Sequence, residues 1–298
     1  MARKLIFTVV VLSLGFASRL TAADPFVFKD GDRVVLIGST LIEREQKYGF
    51  WEHALTLKNK DKNVTFRNLG WSGDTVFGEA RNIFDQSPKG YERLIELTKN
   101  LKPTVIVICY GHNESFEGKA GVVKFTAGLE KLLDAVAMTK ARIVLVSPTP
   151  FEKADVLPNP EPNNKNLALY CDVLKATAEK RKLEYVDFFE QVLSWSQGRP
   201  TPGPTKLTDN GLHLTPEGYQ FTASMLTSYR MPDLGSRDEK LRSMIIDKNE
   251  LFFHRWRPQN VTYLFLFRKG EQGNNAKDIP AFDLLIDLAE KEIVELKK

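Results

Sequence analysis

Short β-branched runs alternate with stretches of helical spacing along most of this chain, and that alternation constrains the fold more than any other feature. Arg33-Val34-Val35-Leu36-Ile37 is almost wholly apolar and ends at Gly38, the pattern of a strand covered on both faces. Residues 41–57, with Ile42, Tyr48, Phe50 and Leu55 among their apolar positions, predict a helix. A second strand follows at 64–67, a helix at 91–101 that stops before Pro103, and a third strand at 104–110. Phe125, Leu129, Leu132, Leu133 and Val136 recur at helical spacing within 122–138. A fourth strand at 142–147 ends at Pro148, which has no N–H for a ladder. A helix at 166–181 and a short last strand at 185–187 continue the pattern. Thr215 suits a helix cap with Pro216 at the first position, the helix running to about residue 229. Proline-bearing stretches at 150–164 and 198–208 read as irregular surface segments.

This order implies a parallel sheet with helices on both faces, a three-layer α/β/α sandwich of flavodoxin-like type. Ligands in such sheets bind beyond the carboxyl ends of the strands. The 298 residues suffice for one sizeable core and an appendage. Past residue 230 the texture changes. Residues 238–256 predict a long helix, 256–267 are dense in aromatics without clean alternation, and 283–297 predict a charged helix. This extension, 231–298, either builds one wall of a site or packs as an appendage.

Residues 1–23 read as an export signal: Arg3 and Lys4, an apolar run over 5–16, and small residues ending at Ala23. Losing Arg3, Lys4 and Arg19 with that segment lowers the formal charge from +4 to +1, so the basic balance says little for a nucleic-acid partner. No later apolar run is long enough for a membrane span. Export permits a disulfide, but Cys109 lies in a buried-strand pattern and Cys171 in a helical one, so two buried thiols are expected. Two cysteines and four histidines give poor support for a zinc site.

Four separated segments carry chemistry: Gly38-Ser39-Thr40, Asn68-Leu69-Gly70-Trp71-Ser72-Gly73-Asp74-Thr75, Gly111-His112-Asn113-Glu114 and Asn210-Gly211-Leu212-His213-Leu214-Thr215-Pro216. Three of them sit at predicted strand ends. In order, they resemble the four blocks of the SGNH (GDSL-type) hydrolases, serine esterases and acetylesterases; the resemblance covers about residues 30–230. That family has Gly-Asp-Ser in the first block; here Ser39 stands at the Asp position and Thr40 at the nucleophile position. The resemblance implies a hydroxyl nucleophile at Thr40, with Ser39 one residue off register. It implies an oxyanion hole from the N–H of residue 40, the N–H of Gly73 and the amide of Asn113, with His213 as base. The family's Asp three residues before that His is Asn210 here, with Asp209 beside it. An Asn carbonyl can accept from the imidazole Nδ1–H and orient the ring but adds no charge, and Asp209 is the other candidate partner. Glu114 replaces the usual Asp and is expected to alter a supporting hydrogen bond, leaving the oxyanion hole intact.

The expected function is an exported ester hydrolase, a carbohydrate acetylesterase by resemblance, acting on a small-molecule or polysaccharide ester without cofactor or metal. Trp71, Trp256 and Tyr263 are candidates for stacking on sugar rings. The alternative, motivated by positions 40 and 210, is a protein of the same fold that holds carbohydrate or acyl ligands without turning them over. A phosphoester hydrolase is disfavoured, since the chain has no Gly-rich phosphate loop and no evident metal-ligand cluster.

Overall fold

The computed structural model describes residues 24–198, 206–227, 236–258 and 260–298. The expected export signal, the centre of the 198–208 stretch and the junction near residue 230 lie outside the described residues. Five strands form one parallel sheet: β1 (Arg33–Gly38), β2 (Thr65–Asn68), β3 (Val105–Cys109), β4 (Arg142–Val146) and β5 (Glu184–Val186), in the order β2-β1-β3-β4-β5. The chain leaves β1 toward β2 on one side and later inserts β3 on the other. Their carboxyl ends therefore diverge into a crevice at the topological switch point.

Alternate residues of each strand point to opposite faces. Val34, Leu36, Val105 and Val107 pack against α1 (Thr40–Tyr48), α2 (Phe50–Lys58), α6 (Phe188–Ser196) and α7 (Pro216–Thr227). Val35, Ile37, Ile106 and Ile108 pack against α3 (Lys89–Asn100), α4 (Gly118–Ala137) and α5 (Glu161–Arg181). The single helix expected over 41–57 is instead two. Gly49 adopts φ +67°, a left-handed conformation that caps α1 through its N–H to the Glu45 carbonyl and starts α2 in a new direction. Helix α6 was not legible because it is short and follows β5 without a loop. Cys109 and Cys171 are free and buried, and burial raises both thiols.

The extension is helical: α8 (Ser236–Trp256), the short α9 (Val261–Phe265) and α10 (Lys269–Gln272), and α11 (Phe282–Leu296). Helices α8 and α11 pair with each other, and α8 lies against α1, α2 and the outer strand β2. Phe252 and Ile286 join the sheet's second apolar cluster. At the β2 edge, the fully buried Lys248 donates to both Glu52 carboxylate oxygens at 2.7 and 2.9 Å and to the Phe66 carbonyl at 3.2 Å. Asn249 adds a bond to Glu52 at 3.1 Å. No helix among the described residues is long and apolar enough to cross a membrane.

His53 in α2 is fully buried against this extension, and neither ring nitrogen has a partner among the described residues. Burial lowers its pKa from 6.5 to about 4; Asp238 and Glu239 of α8 oppose the shift, and Arg242 reinforces it. A folded pKa below the unfolded one gives stability that is fully present above pH 6.5 and lost as pH falls toward 4. Urea unfolding at a series of pH values should therefore show wild type losing up to about 3 kcal/mol relative to His53→Met across that window. Parallel pH profiles for the two proteins would show that the ring is not held neutral.

Candidate active site

The crevice at the switch point is built by the ends of β1, β2 and β3. Helix α1 begins two residues after Gly38, so its first-turn N–H groups and positive dipole end face the crevice. Ser39 is the N-cap residue, makes no side-chain cap bond and is 4% exposed. Thr40 opens the helix and is half-buried, and its Oγ1 accepts the Gly73 N–H at 3.0 Å. That leaves the threonine O–H free to donate to a base.

The loop after β2 approaches this first turn closely. Gly70 lies where a Cβ would meet the Glu43 nitrogen at 2.4 Å, so no larger residue fits without moving the loop. Asn68, the last residue of β2, donates to the Ile42 carbonyl at 2.6 Å and accepts the Gly70 N–H at 2.8 Å, tying loop to helix. Gly73 has φ +73°, which turns its N–H toward Thr40 at no Cβ cost. Beneath it, buried Asp74 accepts from Arg81 Nε at 2.6 Å and from the Tyr110 hydroxyl at 2.8 Å.

Asn113 follows β3 and donates one amide hydrogen to the Asp74 carbonyl at 2.7 Å, leaving the other available to a developing oxyanion. Glu114 supports this arrangement from below, its two carboxylate oxygens accepting the Val76 and Gly111 N–H groups, each at 2.9 Å. Burial raises its pKa to about 7 against those backbone bonds. The hydrogen bonds of Glu114 thus brace the two loops, and the Asn113 amide is a separate group.

His213 enters from a small hairpin closed by the Thr208–Leu214 bridge. Glu152 anchors that hairpin by accepting the Leu207 and Thr208 N–H groups and the Thr208 hydroxyl. Thr215 caps α7, its Oγ1 accepting the Gly218 N–H at 3.1 Å. His213 is half-buried and shares one cleft with Ser39, Thr40, His112 and Asn113. Neither hydroxyl hydrogen-bonds the ring among the described residues. Burial lowers the His213 pKa, Arg44 adding to the effect and Asp209 opposing it, so the ring is neutral at pH 7.

The relay position differs from the sequence expectation in a consequential way. Asn210 Oδ1 already accepts the Leu212 and His213 backbone N–H groups, at 3.1 and 2.9 Å. Its Nδ2 therefore faces His213 Nδ1, at 3.1 Å. Rotating the amide would aim NH2 at two N–H donors, so the network fixes the assignment. The amide donates to Nδ1, which places the neutral ring's proton on Nε2. The expected carbonyl-to-Nδ1–H contact is absent because the backbone has taken the carbonyl. Asp209 does not reach the ring either; it is held by Arg44 at 3.1 Å.

Sequence reading gave no role to Arg44, His112, Asp74 or Glu152. Arg44 lies one helical turn after Thr40, a spacing that brings it to the same cleft. His112 is 5% exposed, meets Phe151 edge-on at 4.7 Å and is lowered to about 3, by burial first and His213 second. Each ring suggested for sugar stacking has neighbours on it: Trp71 the Arg81 and Arg257 guanidinium groups, Trp256 Phe252 and Arg255, Tyr263 Arg268. Among the described residues no cluster of three His, Cys, Asp or Glu could hold a metal ion.

Residues 34–221 match the family described as GDSL-like lipase/acylhydrolase. No curated protein matches the chain. Among solved structures, a gut microbial diltiazem-metabolizing enzyme aligns with TM-score 0.65 at 12% identity, over 91% of this chain and 96% of its own. A catalytic mutant of an acetylxylan esterase from Geobacillus stearothermophilus aligns with TM-score 0.53 at 18% identity, over 67% of this chain and 94% of its own. A further acetyl xylan esterase aligns with TM-score 0.52 at 17% identity, over 66% and 98%. At these identities the structural likenesses speak for the fold.

Proposed function

Because the chain belongs to the GDSL-like lipase/acylhydrolase family, and so is a hydrolase of ester bonds, we propose that it is an exported deacylase that removes small acyl groups, acetyl above all, from a carbohydrate or small-molecule alcohol. The observation that carries this reading is the Gly73 N–H held on Thr40 Oγ1 at 3.0 Å, in a cleft shared with His213 and Asn113. Attack needs the minor tautomer of His213, with the ring proton on Nδ1, the Asn210 amide contact given up and Nε2 bare; Thr40 Oγ1 then attacks the ester carbonyl and Nε2 takes its proton. The oxyanion is received by the Thr40 and Gly73 N–H groups and the spare Asn113 amide hydrogen. His213 then protonates the leaving alcohol, and water hydrolyses the acyl-threonine. The cleft's cavity volume is about 10 Å³, room for about one water molecule, which disfavours a long acyl chain. Acetylxylan esterases among the structural neighbours agree with a carbohydrate acetate.

A small chromogenic acetate ester tests the assignment. Thr40→Val keeps the shape, removes the hydroxyl and should reduce hydrolysis to background, as should His213→Ala. Ser39→Ala should retain a substantial fraction, because Ser39 is buried at the cap and carries no bond to the Gly73 N–H. The reverse order would make Ser39 the nucleophile, and indifference to all three would remove the triad. The Asn210 amide at Nδ1 supports a second reading, a protein that holds acyl or carbohydrate ligands with little turnover. Wild type inert on every acyl ester, yet binding the corresponding alcohol, would favour it.

A further inference from the structure

A cavity of about 600 Å³, within the range of small-molecule sites, lies between the Trp71 loop, α3 and the α8–α9 segment. Its walls are largely apolar, with Trp71, Trp256 and Phe265 prominent, yet four arginines and a single carboxylate, Glu96, also line it. Three of those arginines have their own carboxylates: Arg81 with Asp74, Arg93 with Asp85, Arg255 with Asp283. Arg257 has none among the described residues. It is 4% exposed, its Nε is buried without a partner, and its Nη2 donates to the neutral Gln46 Oε1 at 2.9 Å. Arg81, 1% exposed, likewise has a buried Nη1 with no partner. Burial and the charge of Arg81 lower Arg257 to about 9, with Glu43 opposing them. Guanidinium nitrogens buried without hydrogen-bond partners are costly, and a ligand that pairs with them offsets that cost.

We propose that this cavity binds a carboxylate, received by the buried, unpartnered guanidinium nitrogens Arg257 Nε and Arg81 Nη1, with the organic body of the ligand against the tryptophan-lined wall. The planar guanidinium matches a carboxylate in two parallel bonds.

The site is wired to the reacting centre. Arg257 donates to Gln46, Gln46 Nε2 donates to Glu43 Oε1 at 3.0 Å, and Ser72 Oγ donates to Glu43 Oε2 at 2.9 Å. Ser72 precedes Gly73, whose N–H meets Thr40. The carboxylate belongs either to an acidic sugar unit of the substrate or to a free organic acid. The first source rests on the deacylase reading; carboxylate binding itself is measured directly, so its failure is distinct from a failure of that reading.

Calorimetry and tryptophan fluorescence of the intact protein, titrated with glucuronate, with benzoate and with neutral methyl glucoside, test the proposal. Either carboxylate should bind saturably and the glucoside should not; tighter glucuronate identifies an acidic sugar, tighter benzoate an organic acid. Arg257→Met should weaken binding by roughly tenfold or more while melting no lower than wild type, because it removes an unpaired buried charge. Val261→Trp, which narrows the cavity and leaves both arginines, should weaken binding. The proposal fails if neither carboxylate binds, if Arg257→Met binds as wild type, or if that variant melts several degrees lower without ligand, which would make Arg257 a structural residue.

Discussion

Asn210→Asp should raise the turnover of a small acetate ester by roughly 10²- to 10⁴-fold over wild type. The substitution is nearly isosteric. One carboxylate oxygen inherits the Leu212 and His213 N–H groups that Asn210 Oδ1 now accepts. The other replaces the amide nitrogen beside Nδ1 and accepts where the amide donates. The ring then carries its neutral proton on Nδ1 and offers a bare Nε2 to Thr40, and the imidazolium formed on attack gains a counter-ion. The magnitude is that of the opposite change in a serine protease triad, where an amide imposes the wrong tautomer. Steady-state kinetics with an NMR assignment of the His213 tautomer would check both halves of the argument. An unchanged kcat with the proton moved to Nδ1 would mean that His213 is not the base.

Lys248→Met should cost about 3–5 kcal/mol in urea unfolding, the largest effect expected of a substitution outside the crevice. Glu52 is 4% exposed, and burial already raises its pKa. Without Lys248 it keeps only the Asn249 amide, and the Phe66 carbonyl loses a donor. Removing both charges in Glu52→Leu/Lys248→Met should recover most of the loss, because the penalty comes from stranding one ion. Equal destabilisation by the single and the double variant would show that packing of α8, and not the ion pair, is at stake.

The sheet was legible because its central strands are buried on both faces, which forces uninterrupted β-branched runs at β1, β3 and β4. The helix break at Tyr48-Gly49 had a local signal, a glycine inside a helical pattern, that apolar spacing alone overrode. The crevice residues were legible as segments, and their meeting at the ends of β1–β3 follows from the topology. The state of the relay was not. Whether Asn210 offers a carbonyl or an amide to the ring depends on which of its atoms the hairpin's own N–H groups have already claimed. The carboxylate site was equally hidden, since Trp71, Arg81 and Arg257 meet only when the extension folds back across the strand ends.

The Lys248 contact at the rim of the sheet has a consequence for where this protein begins and ends as a physical object. A bare outer strand offers its carbonyls to any neighbouring chain, and such rims seed aggregation unless something covers them. Here the cover is α8, which lies beyond the family-matched segment. A fragment cut at residue 221 would keep every candidate crevice residue and lose the helix that shields β2 from other molecules. The part that carries the crevice and the part that covers its outer strand are therefore packed as one folding unit, although only the first bears the family's sequence signature.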